Sequence, residues 1–360
     1  MDRTRSQGLH RVLLAGVLAA GVAMSVEARA STINQNTSWT INKSGATATY
    51  RVVAYGDSIF AGYYGQLFSV AKRAAPLVDG EYALYPWNAN VQVVRRTKSG
   101  AVASDIYNNK IVGEKSYMQA TSTRVVEFEM CGNDGLQARS SFAGQTGTCN
   151  FAPLDNALAN CTTYLQQAMA FINANAYSGT KVKMVSNLYY PGYAADNKNS
   201  SCTVSGSPVN MQNTFLPYLA KMNWRACNFA YTYGFQCTDS FAQFMAADSD
   251  TAALAYVQGE SEAAYVTRIT TTNRASIRDA NTHFVNASTS YDYIQSDNTH
   301  PTYYGAAGTI GLNIFTGSGS GSGSPNFTAA QIVGGKNPVW NQSGHERMGW
   351  GLSVSNPATP

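Results

Sequence analysis

Four short segments of this 360-residue chain carry residue types that can do chemistry together. Ser58 ends the tripeptide Gly56-Asp57-Ser58, where a strand-forming run gives way to helical spacing. A serine hydroxyl is a weak nucleophile until a neighbouring base takes its proton, and the oxyanion formed when it attacks a carbonyl needs donors already in place. At a sharp strand-to-helix turn the hydroxyl is exposed, and the amides of the first helical residues point into the same space. Of the four histidines, His10 falls in an amino-terminal leader, which leaves His283, His300 and His345 as bases. His300 is the best placed: in Asp297-Asn298-Thr299-His300-Pro301 a carboxylate precedes the imidazole closely enough to fix its tautomer.

Gly100 and Asn133 stand in polar loops after two further apolar runs. Taken alone, Gly100 reads equally as a turn glycine with positive φ, and Asn133 as a cap. Asp57 reads as an acceptor for nearby amides, since the base role already has a candidate. Glu127 and Glu129 share one strand face. Paired carboxylates suit glycoside hydrolysis, but side chains that would not lie at the strand's carboxyl end read better as a buried, hydrogen-bonded structural pair, or as a strand whose register is shifted. Tyr63, Tyr64, Tyr85, Trp87, Tyr189, Tyr190 and Tyr193 lie near strand-end loops, where aromatics stack on sugars, line acyl grooves or simply pack. Asp248-Ser249-Asp250 begins like a calcium loop, but Ala252 and Ala253 break the pattern.

The elements that must position these residues are legible as alternation. Strand signals run over 46–55, 91–94, 125–130, 181–188 and 235–237, and helical spacing over 59–74, 153–175 and 213–231. Leu154, Leu158, Cys161, Leu165, Ala168 and Ile172 form one apolar stripe, and Gly234 is placed to close the later helix. A last helix is expected from Pro301 to about Phe315, while 246–293 reads as loop and helix without clear period. Strands alternating with helices predict an open, mostly parallel sheet covered on both faces, with ligands at the carboxyl ends of its strands.

Arg3, Arg5 and Arg11 precede an apolar run from Val12 to Met24, and Ala28-Arg29-Ala30 offers a small-x-small cleavage site, the pattern of a secretory signal peptide over 1–30. Four of the 25 Lys and Arg and two of the 21 Asp and Glu leave with it, so 21 basic residues face 19 acidic ones. That near balance gives no footprint for nucleic acid and favours neutral or weakly charged substrates. No later run approaches a membrane span, so the mature chain is expected to be soluble, secreted or periplasmic, and a monomer. Cys131, Cys149, Cys161, Cys202, Cys227 and Cys237 are even in number in an exported chain, which predicts up to three disulfides with 15 connectivities open. Their spacing does not suit a zinc site, and no metal or other cofactor is expected. Residues 31–316 form the expected catalytic domain, 317–324 a Gly-Ser linker and 325–360 a carboxyl-terminal extension, packed back on the core or appended as a small module.

Taken together, Gly56-Asp57-Ser58-Ile59, Gly100, Gly132-Asn133-Asp134 and Asp297-x-x-His300 resemble, in order, blocks I, II, III and V of the SGNH (GDSL-type) serine ester hydrolases. Cys131 stands where the first glycine of G-x-N-D would fall, and Ile59 replaces the leucine of block I. The resemblance spans roughly 50–315. It implies an α/β fold, a three-layer α/β/α sandwich around a flavodoxin-like, mostly parallel five-stranded sheet. It also implies an oxyanion hole formed by the Ser58 and Gly100 amides and the Asn133 side chain. The expected reaction is cleavage of small-molecule, glycan or lipid esters by Ser58, His300 and Asp297. A short-chain carboxylesterase or carbohydrate acetyl esterase is the first reading, and a lipase, phospholipase or acyltransferase the alternative within the same chemistry. A non-catalytic glycan- or envelope-binding protein on the same scaffold is the alternative from another class, distinguished by whether Ser58 reacts.

Overall fold

The computed structural model describes residues 36–62, 75–190, 198–245, 254–271, 299–301, 348–349 and 352. Six strands build the main sheet: β1 (Thr37–Ile41), β2 (Thr49–Gly56), β3 (Asn90–Thr97), β4 (Thr123–Glu129), β6 (Val182–Ser186) and β9 (Gln236–Thr238), in the order β1-β3-β2-β4-β6-β9. The expectation of five strands is corrected to six. Five are parallel, and β1 adds an antiparallel edge on β3. A separate sheet of β5 (Gly147–Thr148), β7 (Asn199–Val204) and β8 (Ser207–Asn210) was not expected from the sequence.

Strand β2 is central and its Val52, Val53, Ala54 and Tyr55 are wholly buried, as a parallel strand covered on both faces requires. Successive residues feed opposite cores. Val53, Tyr55, Val126, Phe128 and Val185 face one core, built with α5 (Ala152–Asn175) and α6 (Met211–Tyr233). Val52, Val91, Val93, Val125 and Met184 face the other, closed by Leu84 and Trp87 of α2 (Ala75–Trp87). Each fully buried side chain of this size contributes about 1.5–3 kcal/mol. The stripe expected on α5 is its buried face, and Gly234 ends α6 at φ +71°.

Three disulfides, Cys131–Cys161, Cys149–Cys202 and Cys227–Cys237, use all six cysteines. The second fastens the small sheet and the third ties α6 to β9. A helix, α8 (Glu262–Thr271), falls within the stretch without clear period. Met348 and Leu352 are buried in the larger core, so this part of the carboxyl-terminal segment packs against the sheet's helices. The expected leader, residues 63–74, the helix after Pro301 and the Gly-Ser run lie outside the described residues. No described helix is long and apolar enough to cross a membrane.

Candidate active site

Taken in chain order the parallel strands run 2-1-3-4-5, so the chain reverses direction across the sheet between β2 and β4. Crevices for ligands open at the carboxyl ends of strands flanking such a reversal. Ser58 follows β2 there and Asn133 follows β4.

Asp57 caps α1 (Ser58–Ala61): its Oδ1 accepts from the Ile59 amide at 2.8 Å, and Gly62 closes the turn at φ +72°. Ser58 is thereby the first helical residue and is buried beneath the strand ends. His300, 242 positions later, meets it: Nε2 lies 2.9 Å from Oγ. An imidazole at that distance can take the hydroxyl proton. The segment carrying it is held by Tyr189, whose hydroxyl donates to the Thr299 carbonyl at 2.5 Å while its ring stacks on Phe244 at 4.3 Å between centroids. Sequence reasoning named Tyr189 only as one of several loop aromatics. Asp297, His283 and His345 lie outside the described residues, as do Tyr63, Tyr64, Tyr193, Asp248 and Asp250.

Gly100 has φ +74°, in the turn that follows β3. Thr97 pairs with Gly56, and the Lys98 amide donates to the Gly56 carbonyl at 3.0 Å, so this turn flanks the nucleophile. Asn133 opens α4 (Gly132–Ala143). Its Nδ2 donates to Asp57 Oδ2 at 2.8 Å and to the Ala101 carbonyl at 3.0 Å. Two acceptors around one atom identify it as the nitrogen, and both its hydrogens are engaged. Cys131, where the resembled motif has glycine, occupies the left-handed region at φ +83°.

The two strand-borne glutamates diverge, and one expectation about them is corrected. Glu127 is fully buried, and neither of its oxygens has a hydrogen-bond partner. Burial, reinforced by Asp79, pushes its carboxyl well above the usual range. Glu129 is not away from the carboxyl end: β4 stops at Glu129 rather than Met130, and Glu129 Oε1 accepts from the Asp57 amide at 2.7 Å. Burial and the neighbouring Asp57 carboxyl push Glu129 well up. Asp57 is raised by burial and eased back by bonds from Glu129, Ile59 and Asn133 and by His300. Asp134 is pushed up to about 6 by burial, against the Ala103 amide that donates to it at 2.8 Å.

Asp57, Ser58, Gly132 and Asn133 line an open cleft that holds about 440 Å3 of empty space, open solvent included. Ile59, Leu136, Leu188, Phe215 and Leu219 also line it, with Tyr189 and Thr299 at the histidine segment. The wall beside the nucleophile is therefore mostly apolar. Of the aromatics named from sequence, Tyr189 borders this cavity, whereas Trp87 packs edge-on against Tyr50, near the opposite end of β2.

No family model matches the chain. No curated protein matches it either. Among solved structures it is similar to a lipase from a goat rumen metagenome, at 15% identity and TM-score 0.43, covering 61% of this chain and 94% of that one. It is also similar to phospholipase A1 from Streptomyces albidoflavus NA297, at 18% and 0.38 over 59% and 90%. An acetylxylan esterase from Geobacillus stearothermophilus gives 13% and 0.36 over 55% and 78%.

Proposed function

We propose that the chain is an exported serine ester hydrolase of the SGNH type. The observation that carries this is the 2.9 Å approach of His300 Nε2 to Ser58 Oγ at the strand ends. Ser58 attacks the ester carbonyl, His300 takes its proton and passes it to the leaving alcohol, and water then hydrolyses the acyl-enzyme. Asp297, three residues before His300, is assigned to orient the imidazole. The oxyanion is assigned to the Ser58 and Gly100 amides, with Asn133 sharing its already engaged amide hydrogens. Three disulfides fit an oxidising compartment outside the cytoplasm.

The apolar wall of the cavity supports an alkanoyl ester over a sugar acetate as substrate. A buried methylene is worth about 0.8 kcal/mol, or roughly fourfold in kcat/KM, as long as the pocket has room. A series of p-nitrophenyl esters tests both parts of the proposal. Hydrolysis should rise from acetate to at least butyrate and be lost in Ser58→Ala. Activity that survives the substitution would remove Ser58 as nucleophile, and a preference for acetate would return the sugar acetates to first place.

A further inference from the structure

The Glu129 carboxyl occupies the space beneath the nucleophile turn that any side chain at position 56 would need. A Cβ on Gly56 would lie 2.6 Å from Glu129 Oε1 and 3.0 Å from the Phe60 Cβ, so a side chain at position 56 would displace the Glu129 carboxyl from this place. The same oxygen accepts from the Asp57 amide at 2.7 Å, and the Glu129 side chain hydrogen-bonds that of Asp57. Asp57 in turn holds the Ile59 amide through Oδ1 and the Asn133 side chain through Oδ2. A single chain of hydrogen bonds thus runs from the end of β4 to both sides of Ser58.

We infer that Glu129 is the positioning residue of this site: wedged against Gly56 and bonded to both the amide and the side chain of Asp57, it fixes the Ser58 turn and, through Asp57, the Asn133 amide. The role rests on the hydrolase reading of Ser58. It also requires Glu129 to be a neutral acid. Two carboxyl groups in contact and out of water cannot both ionise, because like charges at that distance repel strongly in a poorly polarisable interior. Both carboxyls accept two donors, Asp57 from the Ile59 amide and the Asn133 side chain and Glu129 from the Asp57 and Phe60 amides, but only Asp57 also has the His300 imidazole nearby to favour an anion, so the shared proton rests on Glu129. The titratable groups around the pair are His300 from the loop and Asp134 from α4, with Glu127 two residues back along β4. Ionisation of Glu129 at alkaline pH breaks its bond to the Asp57 carboxylate and releases the turn.

Glu129→Gln and Glu129→Leu separate this role from simple packing. The glutamine can accept from the Asp57 amide and donate to its carboxylate, while the leucine can do neither. Glu129→Leu should lower kcat tenfold or more, leave KM within about twofold and slow fluorophosphonate labelling of Ser58. Glu129→Gln should restore most of that loss and carry activity to higher pH than the wild type. A folded Glu129→Leu protein with wild-type kcat would overturn the role, as would a Glu129→Gln protein no better than the leucine variant. If the leucine variant does not fold, the Glu129→Gln profile decides, and an unmoved alkaline limb overturns the inference. Labelling of the wild type keeps the two readings apart: a wild type that neither labels nor hydrolyses esters refutes the hydrolase itself, whereas one that does both leaves only Glu129 in question.

Discussion

Tyr189 ties the histidine segment to the sheet through a hydrogen bond from its hydroxyl to the Thr299 carbonyl. Tyr189→Phe keeps the ring stacked on Phe244 and removes that bond. A net hydrogen bond contributes about 1 kcal/mol, and about 1.4 kcal/mol is tenfold in rate. The variant should lose about five- to tenfold in kcat with KM little changed, measured on the best p-nitrophenyl ester. Unaltered kcat would mean that His300 is held from elsewhere. The residues of the site were unequally legible in the sequence. Ser58 and His300 could be named because each sits in a short local pattern of suitable type. Tyr189 could be named only as one loop aromatic among several and not by its role, because its partner lies 110 positions away and no local pattern marks a hydroxyl that bonds a distant backbone. Glu129 was seen but misplaced, since its role depends on the strand ending one residue before Met130.

At the scale of elements, the turn from β4 into α4 carries an unusual cysteine. Cys131 holds φ +83°, where a residue with a Cβ costs about 1–2 kcal/mol relative to glycine, and its disulfide to Cys161 pins that turn to α5. Closing a loop of this length stabilises the fold by about 3–4 kcal/mol, which outweighs the backbone cost. Two paired replacements separate the terms, since both remove the cross-link but only one keeps a Cβ at position 131. C131G/C161A should be about 1 kcal/mol more stable than C131A/C161A in urea unfolding, with both well below the wild type. Equal midpoints would show that the turn relaxes out of the left-handed region once the bond is gone. Elements with long regular patterns, such as α5, were legible from spacing alone. Helix α2 was not, because Gly80 and Pro86 look like breakers. Gly80 is instead a contact point: a Cβ there would lie 2.3 Å from Val93 Cγ2, so it lets the helix approach β3 closely. The longer strands of the small sheet, Asn-Ser-Ser-Cys-Thr-Val and Ser-Pro-Val-Asn, are mostly small and polar, so they carry no apolar run or alternation that marks a strand.

At the scale of the molecule, the sheet that brings Ser58 and His300 together also buries carboxyl groups. Alternation of strands and helices made the parallel sheet legible, but nothing in the local sequence announced how many acids it would enclose. Among the described residues Asp57, Glu127, Glu129 and Asp239 are raised by burial, and Asp134 is pushed up to about 6. Unfolded Asp and Glu titrate near about 3.9 and 4.3, so the folded chain keeps these protons to higher pH than the unfolded one. Stability falls with pH wherever the native state binds more protons. The contribution is therefore full below about pH 4 and is lost as the pH rises through the folded values. Asp134 alone, raised from 3.8 to about 6, accounts for about 3 kcal/mol across that window. Asp105, lowered beside Lys98, works the other way, but it is partly exposed, so solvent weakens its effect. The urea midpoint should thus be higher at pH 5 than at pH 8, and Asp134→Asn or Glu127→Gln should each flatten the difference by removing one titrating group. A protein equally stable at both values, or more stable at pH 8, would show that these carboxyls are ionised in the folded chain and held by cations that balance them.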